Sequence, residues 1–232
     1  MKTVIAAAYG GIGSALVSKL TTAGHELLLL GRNAEKLQAL GHPYAALDLT
    51  NLEALESALA GFGPIDAFVN CAGSILLKPA HITSEADFDQ TISTNLKTAF
   101  FSVRAATKNM PNGGSIVLMA TAAARIGYAN HEAIAAAKGG VIGLTLSAAA
   151  TYANRNIRVN CVAPGLVDTP LSAKITGNEA ALKTSMSLHA LNRIGKPEDV
   201  ANMAAFLVDP TNSWITGQVF GVDGGLGTLR SR

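Results

Sequence analysis

The sequence has 232 residues, of which 49% are hydrophobic, and its formal net charge at pH 7 is +2. This length suits one folded domain with a substantial buried core. The small net charge supplies neither a polybasic stretch nor an acidic tail, so we expect no nucleic-acid partner and no charged membrane surface as a partner.

The N-terminal residues resemble a signal peptide only superficially. The apolar run from Thr3 to Ala8 is short and leads directly into Gly10-Gly11, so a buried strand that enters a turn explains it better than export does. Cys71 and Cys161 lie in apolar segments without a CxxC pattern or a nearby histidine, and we interpret both as buried reduced thiols. These features predict a cytoplasmic protein.

We predict no membrane-spanning segment. The longest apolar stretch follows Ala133, but Lys138 and Gly139-Gly140 interrupt it before it reaches the length of a membrane span.

Short apolar runs alternate with longer segments of helical periodicity along the whole chain. The runs that we interpret as strands are Thr3 to Ala7, Leu27 to Leu30, Ala67 to Asn70, Ser115 to Met119, Arg158 to Ala163 and Gln218 to Val222. Near-continuous apolar strands separated by helices are typical of a parallel sheet covered on both faces. We therefore predict an α/β fold, a single Rossmann domain over residues 1–232 with a doubly wound parallel sheet.

One segment stands apart from this alternation. Residues 171–189 are polar and mixed and follow Pro170, and we predict that they form a mobile flap over a substrate site.

A glycine-rich turn follows the first predicted strand. Ala7, Gly11 and Gly13 have the spacing of a G-x-x-x-G-x-G turn, and a helix is predicted to begin near Ile12. Glycines in such a turn let the backbone approach a pyrophosphate at a helix N-terminus. Here Ala7 replaces the first glycine, and Tyr9 places a bulky ring where small residues are expected. The turn predicts a nucleotide site, with simple packing of a helix on a strand as the alternative.

Arg32 follows the second predicted strand, about 20 residues beyond the glycine turn, where a dinucleotide-binding fold recognises the adenosine ribose. An acidic side chain at this place would bind the 2′-hydroxyl of NAD, whereas a guanidinium can pair with the 2′-phosphate of NADP. Arg32 therefore favours NADP(H) over NAD(H). The alternative is a solvated arginine at a helix start, because the glycine turn contains no second basic residue.

Further motifs follow in order: Asp48-Leu49, Asn70-Cys71-Ala72-Gly73, Pro164-Gly165, Thr169-Pro170, residues 193–199 and Asp223-Gly224-Gly225. Together they resemble the short-chain dehydrogenase/reductase family over nearly the whole chain. The resemblance implies that Asp48 borders the adenine, that Asn70 and Gly73 shape the cofactor floor, and that Thr169 holds the nicotinamide carboxamide. The full predicted cofactor set is Ala7, Tyr9, Gly11, Ile12, Gly13, Arg32, Asp48, Leu49, Asn70, Ala72, Gly73, Lys138, Pro164, Gly165, Val167 and Thr169.

Each of these residues also has a purely local interpretation. Asp48 could cap the helix predicted near Leu52, Asn70 could stabilise the end of its strand, and Thr169 could simply precede a helix that begins with proline.

The same resemblance implies hydride transfer by a Tyr-x-x-x-Lys pair, an upstream serine and an asparagine. Lys138 and Asn95 match this pattern, Thr121 stands at the serine position, and Ile134 stands at the tyrosine position. The carbonyl oxygen needs a proton donor as the hydride arrives, and isoleucine supplies none. Thr121 keeps a hydroxyl group, while the resemblance implies that Lys138 binds the nicotinamide ribose and that Asn95 orders a water molecule.

Two nearby side chains are candidates to replace the missing phenol. His131 precedes Ile134 by three residues and shares its helix face if the helix has already begun, and Tyr128 lies in a loop predicted to line the substrate pocket. The alternatives are a solvent-facing His131 and a packing role for Tyr128.

We predict an NADP(H)-dependent oxidoreductase with low or altered carbonyl reductase or alcohol dehydrogenase activity on a small molecule. The alternatives are an inactive dinucleotide-binding sensor and a scaffold protein. No metal site is expected. The Ala-rich segment from Ala133 to Ala150 suits close helix packing, and the resemblance implies a subunit interface there, so we expect a homodimer or homotetramer.

Overall fold

The computed structural model describes residues 1–229, which form a single α/β domain around a seven-stranded sheet in the order β3-β2-β1-β4-β5-β6-β7. All neighbouring strands pair in parallel. The strands are β1 (Lys2–Ala6), β2 (Glu26–Gly31), β3 (Tyr44–Ala46), β4 (Ala67–Asn70), β5 (Gly114–Met119), β6 (Ile157–Pro164) and β7 (Val219–Val222). The predicted doubly wound parallel sheet is confirmed.

The helices are α1 (Gly11–Thr22), α2 (Ala34–Gln38), α3 (Leu52–Phe62), α4 (Glu85–Ile92), α5 (Thr98–Lys108), α6 (Glu132–Tyr152), α7 (Ala173–Thr176), α8 (Glu179–Leu188) and α9 (Pro197–Val208). They cover the sheet on both faces because successive side chains of each strand point to opposite sides. Leu28 and Leu30 pack in a core with residues of α3, α5 and α6, whereas Leu27 and Leu29 pack with α1 and α9.

The six apolar runs all form strands, with ends that differ by at most one residue from the predicted ones. The strand β3 was not among those runs. It is a three-residue edge strand whose side chains are exposed or half-buried, so it carries no continuous apolar signal.

Two sequence expectations are wrong in detail. Cys161 is buried, but Cys71 is partly exposed, and both thiols are free. The segment Glu132–Arg155, which contains α6, is long and apolar enough to cross a membrane by length and composition alone. Lys138 and the glycines do not interrupt this helix. One face of α6 packs against β6 inside the domain, as expected for a core helix.

The segment between β6 and α9 contains the predicted flap. It forms a 3-10 turn (Pro170–Ser172) followed by the short helices α7 and α8. The mobility of this segment stays a prediction.

Candidate active site at the carboxyl edge of the sheet

The turn after β1 keeps its shape without its first glycine. Ala7 has φ = 56°, a left-handed conformation that glycine adopts more easily, and its carbonyl accepts a hydrogen bond from the Gly10 N–H at 3.0 Å. A Cβ atom on Gly13 would collide with the Ala7 carbonyl oxygen. The helix α1 begins at Gly11, one residue before the predicted Ile12. The backbone of the turn therefore still allows the close approach to the N-terminus of α1 that a pyrophosphate needs.

Thr169 lies directly against this turn. A Cβ atom on Gly11 would be 2.6 Å from the Cγ2 atom of Thr169, so only glycine fits between the turn and the loop after β6. Thr169 is also the N-cap of the 3-10 turn that Pro170 begins, so its local interpretation holds as well. The two cofactor motifs that are farthest apart in the sequence therefore meet in the structure.

Arg32 and Asp48 follow the paired strands β2 and β3, at the carboxyl edge of the sheet. Asp48 accepts hydrogen bonds from the N–H and hydroxyl groups of Thr50, both at 2.8 Å, and these bonds and then the charge of Arg32 hold the pKa of Asp48 below its usual range. Asp48 does not cap α3, because Asn51 accepts the capping bond from the Ala54 N–H. Leu49 is buried in the core beneath this site.

The loop after β4 brings the predicted floor residues together. The Asn70 Oδ1 atom accepts a hydrogen bond from the Ala72 N–H at 2.8 Å, so Asn70 also stabilises the strand end. A Cβ atom on Gly73 would lie 3.2 Å from Asn95 Oδ1 and 3.3 Å from Lys138 Nζ. Gly73 therefore stands at the point where the predicted asparagine and lysine converge.

Asn95 is buried in a π-helical segment, Ser93–Lys97, between α4 and α5. Its Oδ1 atom accepts a hydrogen bond from the Ser74 N–H at 3.1 Å, and its Nδ2 atom donates to the Thr91 carbonyl and the Ser74 hydroxyl. Such π-bulges occur frequently at functional sites. The sequence analysis did not single out Ser74, because no motif pointed to it.

Lys138 is buried and donates a hydrogen bond from Nζ to the Met119 carbonyl at 2.8 Å. Burial lowers the pKa of Lys138 from 10.5 to about 8, because an apolar environment disfavours the charged ammonium. The position beside Gly73 allows the ammonium to reach a ligand in the cleft.

Ile134 lines a cavity of about 300 Å³, which adjoins the loop after β6. The four residues of the predicted catalytic region that line it are Thr121, Tyr128, His131 and Ile134. Ile134 is buried there, and the Thr121 hydroxyl accepts a weak hydrogen bond from the Ala123 N–H at 3.3 Å. This bond uses an acceptor site and leaves the Thr121 proton available to a ligand.

His131 is the N-cap of α6, which begins at Glu132, so the condition that the helix has already begun at His131 is not met. The histidine reaches the cavity nonetheless. Its Nδ1 atom lies 2.8 Å from the Ala129 carbonyl oxygen and must be the donor, which leaves Nε2 available. Its ring lies 5.3 Å from that of Tyr128, whose pKa is raised by burial and by the charge of Asp223.

His189 is a cavity residue that the sequence analysis missed. It is buried at the end of the predicted flap, donates from Nδ1 to the Ser185 carbonyl at 2.6 Å, and accepts at Nε2 from the Leu166 N–H at 3.2 Å. Both ring nitrogens are engaged, so this imidazole connects the flap to the loop after β6. An isolated histidine in a mixed polar segment carries no pattern that predicts such a contact.

The remaining predicted residues lie in the loop after β6. Pro164 ends the strand, and a Cβ atom on Gly165 would be 2.6 Å from His189 Nε2. Val167 forms a parallel bridge with Gly195, which holds the loop against the chain before α9. Among residues 1–229, no three His, Cys, Asp or Glu side chains converge in a way that could hold a metal ion.

Known proteins resemble this chain in sequence over most of its length. Residues 6–227 match the family model described as enoyl-(acyl carrier protein) reductase. The chain is 38% identical over 205 residues to a 3-oxoacyl-(acyl-carrier-protein) reductase FabG of Thermotoga maritima, covering 85% of this chain and 81% of the relative.

Solved structures agree with this match. A short-chain type dehydrogenase/reductase from Mycobacterium ulcerans superposes with a TM-score of 0.94 at 30% identity, covering 99% of this chain and 90% of that one. ElxO with NADP bound gives a TM-score of 0.91 at 28% identity, covering 98% of this chain and 99% of the other. With its parallel sheet, its glycine turn and its Asn95 and Lys138 at the carboxyl edge, the chain belongs to the short-chain dehydrogenase/reductase family of oxidoreductases.

Proposed function

We propose that the protein binds NADP(H) along the carboxyl edge of the sheet and reduces a small carbonyl compound, or oxidises the corresponding alcohol, at a low or altered rate. The observation that carries this proposal is the convergence of two groups of residues. Gly11 meets Thr169, and Gly73 meets Asn95 and Lys138, while Ile134 lines the adjoining cavity without a proton to donate.

The residues present fit a dinucleotide, because no side chain of residues 1–229 caps the N-terminus of α1, so its first N–H groups are available to a pyrophosphate, and glycine at positions 11 and 13 keeps the turn tight. The turn would hold the pyrophosphate, Asp48 the adenosine, and Lys138 with Thr169 the nicotinamide end. Arg32 favours the 2′-phosphate of NADP, and ElxO, a structural neighbour, has NADP bound. The bound cofactor supplies or accepts the hydride.

Other groups must then bind the carbonyl oxygen of the substrate and supply its proton. The Thr121 hydroxyl can donate a hydrogen bond to it, and the His131 Nε2 atom, when protonated, can donate the proton that the alcohol product requires. Burial makes the Tyr128 phenol a weaker acid, so Tyr128 serves better as a neighbour of His131 than as the donor. Water is the remaining source of the proton.

The cavity also favours a class of substrate. Apolar side chains dominate its lining: Ile75, Leu77, Ile134, Leu166, Ile175, Leu188 and Leu226. Among residues 1–229, no lysine or arginine lines this cavity. An uncharged, largely apolar aldehyde or ketone suits these walls better than an acidic one.

The test is NADPH oxidation by the purified protein with a panel of apolar aldehydes and ketones. We expect slow turnover that His131→Ala lowers by about tenfold or more, since general acid catalysis contributes about 10² to 10⁴ in rate and water replaces part of it. Tyr128→Phe is the matched control and should change the rate little. Turnover that is independent of His131 would assign the proton to water.

A second candidate function is a sensor that binds the cofactor without turnover. The presence of Ile134 at the tyrosine position favours it, because the position offers no acid. Binding of NADPH together with no oxidation for any carbonyl compound would select the sensor, and failure to bind would leave the scaffold interpretation.

We further propose that a cytoplasmic homodimer or homotetramer forms through α5 and α6. The side chains of Phe100 and Leu146 are 53% exposed on these helices, which leaves an apolar surface for a second copy. A sedimentation mass equal to one chain would contradict this assembly.

A further inference from the structure

We infer that Lys36 is a second cation that recognises the 2′-phosphate of NADP(H), and that Tyr9 holds it in position. The inference rests on the proposed binding of NADP(H) at Arg32. It assigns a function to the bulky side chain in the glycine turn, which otherwise appears only as an obstacle to the cofactor.

Tyr9 connects the turn to the end of β2. A Cβ atom on Gly31 would lie 2.6 Å from the Tyr9 Cε1 atom, so the ring packs directly on the backbone that precedes Arg32. Tyr9 is half-buried and also contacts the core formed with α1 and α9. The Tyr9 ring is therefore fixed beside the place where the adenosine ribose of the cofactor is expected.

Lys36 extends over this ring. Its Nζ atom lies 5.7 Å from the centroid of the Tyr9 ring, within the range of a cation–π interaction. Asn33 accepts a hydrogen bond from the Lys36 N–H at 2.9 Å, which fixes the first turn of α2. The backbone of Lys36 is thus fixed four residues after Arg32, and its exposed side chain is oriented by the Tyr9 ring.

In the part of the chain that the structure describes, neither the Arg32 nor the Lys36 side chain is neutralised by an ion pair. Asp48, whose pKa Arg32 helps to lower, is engaged by the N–H and hydroxyl groups of Thr50. A phosphate dianion between the two cations would supply the missing negative charge.

The position of Lys36 explains why the glycine turn needs no basic residue of its own to bind the 2′-phosphate. Lysine acts as a point charge and reaches its target best when its flexible stem is restrained. The Tyr9 ring provides that restraint, so the second cation comes from α2. NADH has a hydroxyl group in place of the phosphate, so the contribution of Lys36 should apply to NADPH alone.

The experiment measures dissociation constants of NADPH and NADH by calorimetry on the full chain. We expect Lys36→Met to weaken NADPH binding by about tenfold and to leave NADH binding unchanged, because the variant loses a charge-assisted hydrogen bond that solvent exposure moderates. Lys36→Arg should retain most of the affinity. Lys19→Met, on the last turn of α1, removes the same charge elsewhere and should change neither constant.

The selectivity for NADPH over NADH tests whether Tyr9 positions Lys36. Tyr9→Phe should keep the selectivity because the ring face remains, whereas Tyr9→Leu should lower it severalfold. In the Tyr9→Leu background, Lys36→Met should have a smaller effect than in the wild type.

The outcomes separate this inference from the proposed function. If Arg32→Ala lowers the selectivity while Lys36→Met does not, NADP(H) binding stands and the role of Lys36 is wrong. Wild-type protein that binds NADH as tightly as NADPH would overturn both. Equal losses for the two cofactors in Lys36→Met would also overturn the role of Lys36, because they would indicate a change in the fold of α2.

Discussion

The two sides of the cleft are built in different ways. The proposed cofactor side consists largely of backbone: the turn at Gly11 and the loop at Gly165 leave no room for a Cβ atom, and the loop at Gly73 leaves little. The carbonyl side depends on individual side chains in one cavity, at Thr121, His131 and Ile134. A shape made by the backbone survives a substitution such as Ala7, whereas a chemical step that relies on one side chain is weakened when isoleucine stands in place of a phenol.

The largest expected effect comes from repairing the carbonyl side. Ile134→Tyr places a phenol four residues before Lys138, at the edge of a cavity of about 300 Å³. A positioned acid contributes about 10² to 10⁴ in rate, and His131 or water supplies only part of this in the wild type, so we expect NADPH oxidation with a suitable ketone to rise by about tenfold or more. Steady-state rates on matched protein samples measure it.

Ile134→Phe is the control for this repair, since it adds the ring without the hydroxyl group. If tyrosine gives no higher rate than phenylalanine, the missing acid is not what limits the reaction, and the distinction between the two sides of the cleft loses its chemical basis.

A smaller effect is expected at Lys138, which links the two sides. Its pKa falls from 10.5 to about 8 on folding, so between these values the unfolded chain binds the proton that the folded chain has lost. The free energy of unfolding therefore increases as pH rises from about 8 to 10.5, and the ammonium destabilises the fold below pH 8.

Lys138→Met should accordingly stabilise the cofactor-free protein by about 2 kcal/mol at pH 7, after allowance for the lost hydrogen bond to Met119. The gain should shrink toward pH 10.5, while NADPH binding weakens. Urea unfolding at several pH values measures the stability, and a gain that does not change with pH would show that the charge is not its cause.

The smallest effect tests the backbone of the turn. Ala7 has φ = 56°, so Ala7→Gly should raise the free energy of unfolding by about 1 kcal/mol by removing the strain of a Cβ atom in the left-handed region.

Gly24→Ala is the matched control for Ala7→Gly. Gly24 has φ = 79° and no atom within 4 Å of an added Cβ, so the substitution should cost about the same amount through the backbone alone. If Ala7→Gly destabilises the protein while Gly24→Ala behaves as expected, Ala7 makes an apolar contact that outweighs its strain.

Much of the fold could be predicted from the sequence because six of the seven strands are apolar runs, and all of these except β7 are largely buried. The strand β3 escaped this signal because it is short and exposed at a sheet edge. The sequence analysis assigned both Gly11 and Thr169 to the cofactor site, but their direct contact was not predicted, because it depends on loops that are far apart in the chain. The contacts of His189, Ser74 and Lys36 could not be predicted, since each depends on how a loop or a short helix packs after folding.

The most direct test of the account is to titrate the wild type and Ile134→Tyr with NADPH and NADH in a calorimeter, and to measure turnover in the same samples. If the two sides of the cleft act independently, both proteins bind NADPH with dissociation constants that agree within about twofold, both prefer it to NADH, and only the rate differs. If the wild type binds neither cofactor while Ile134→Tyr binds NADPH, the cofactor side is not intact without the phenol and the central claim is wrong.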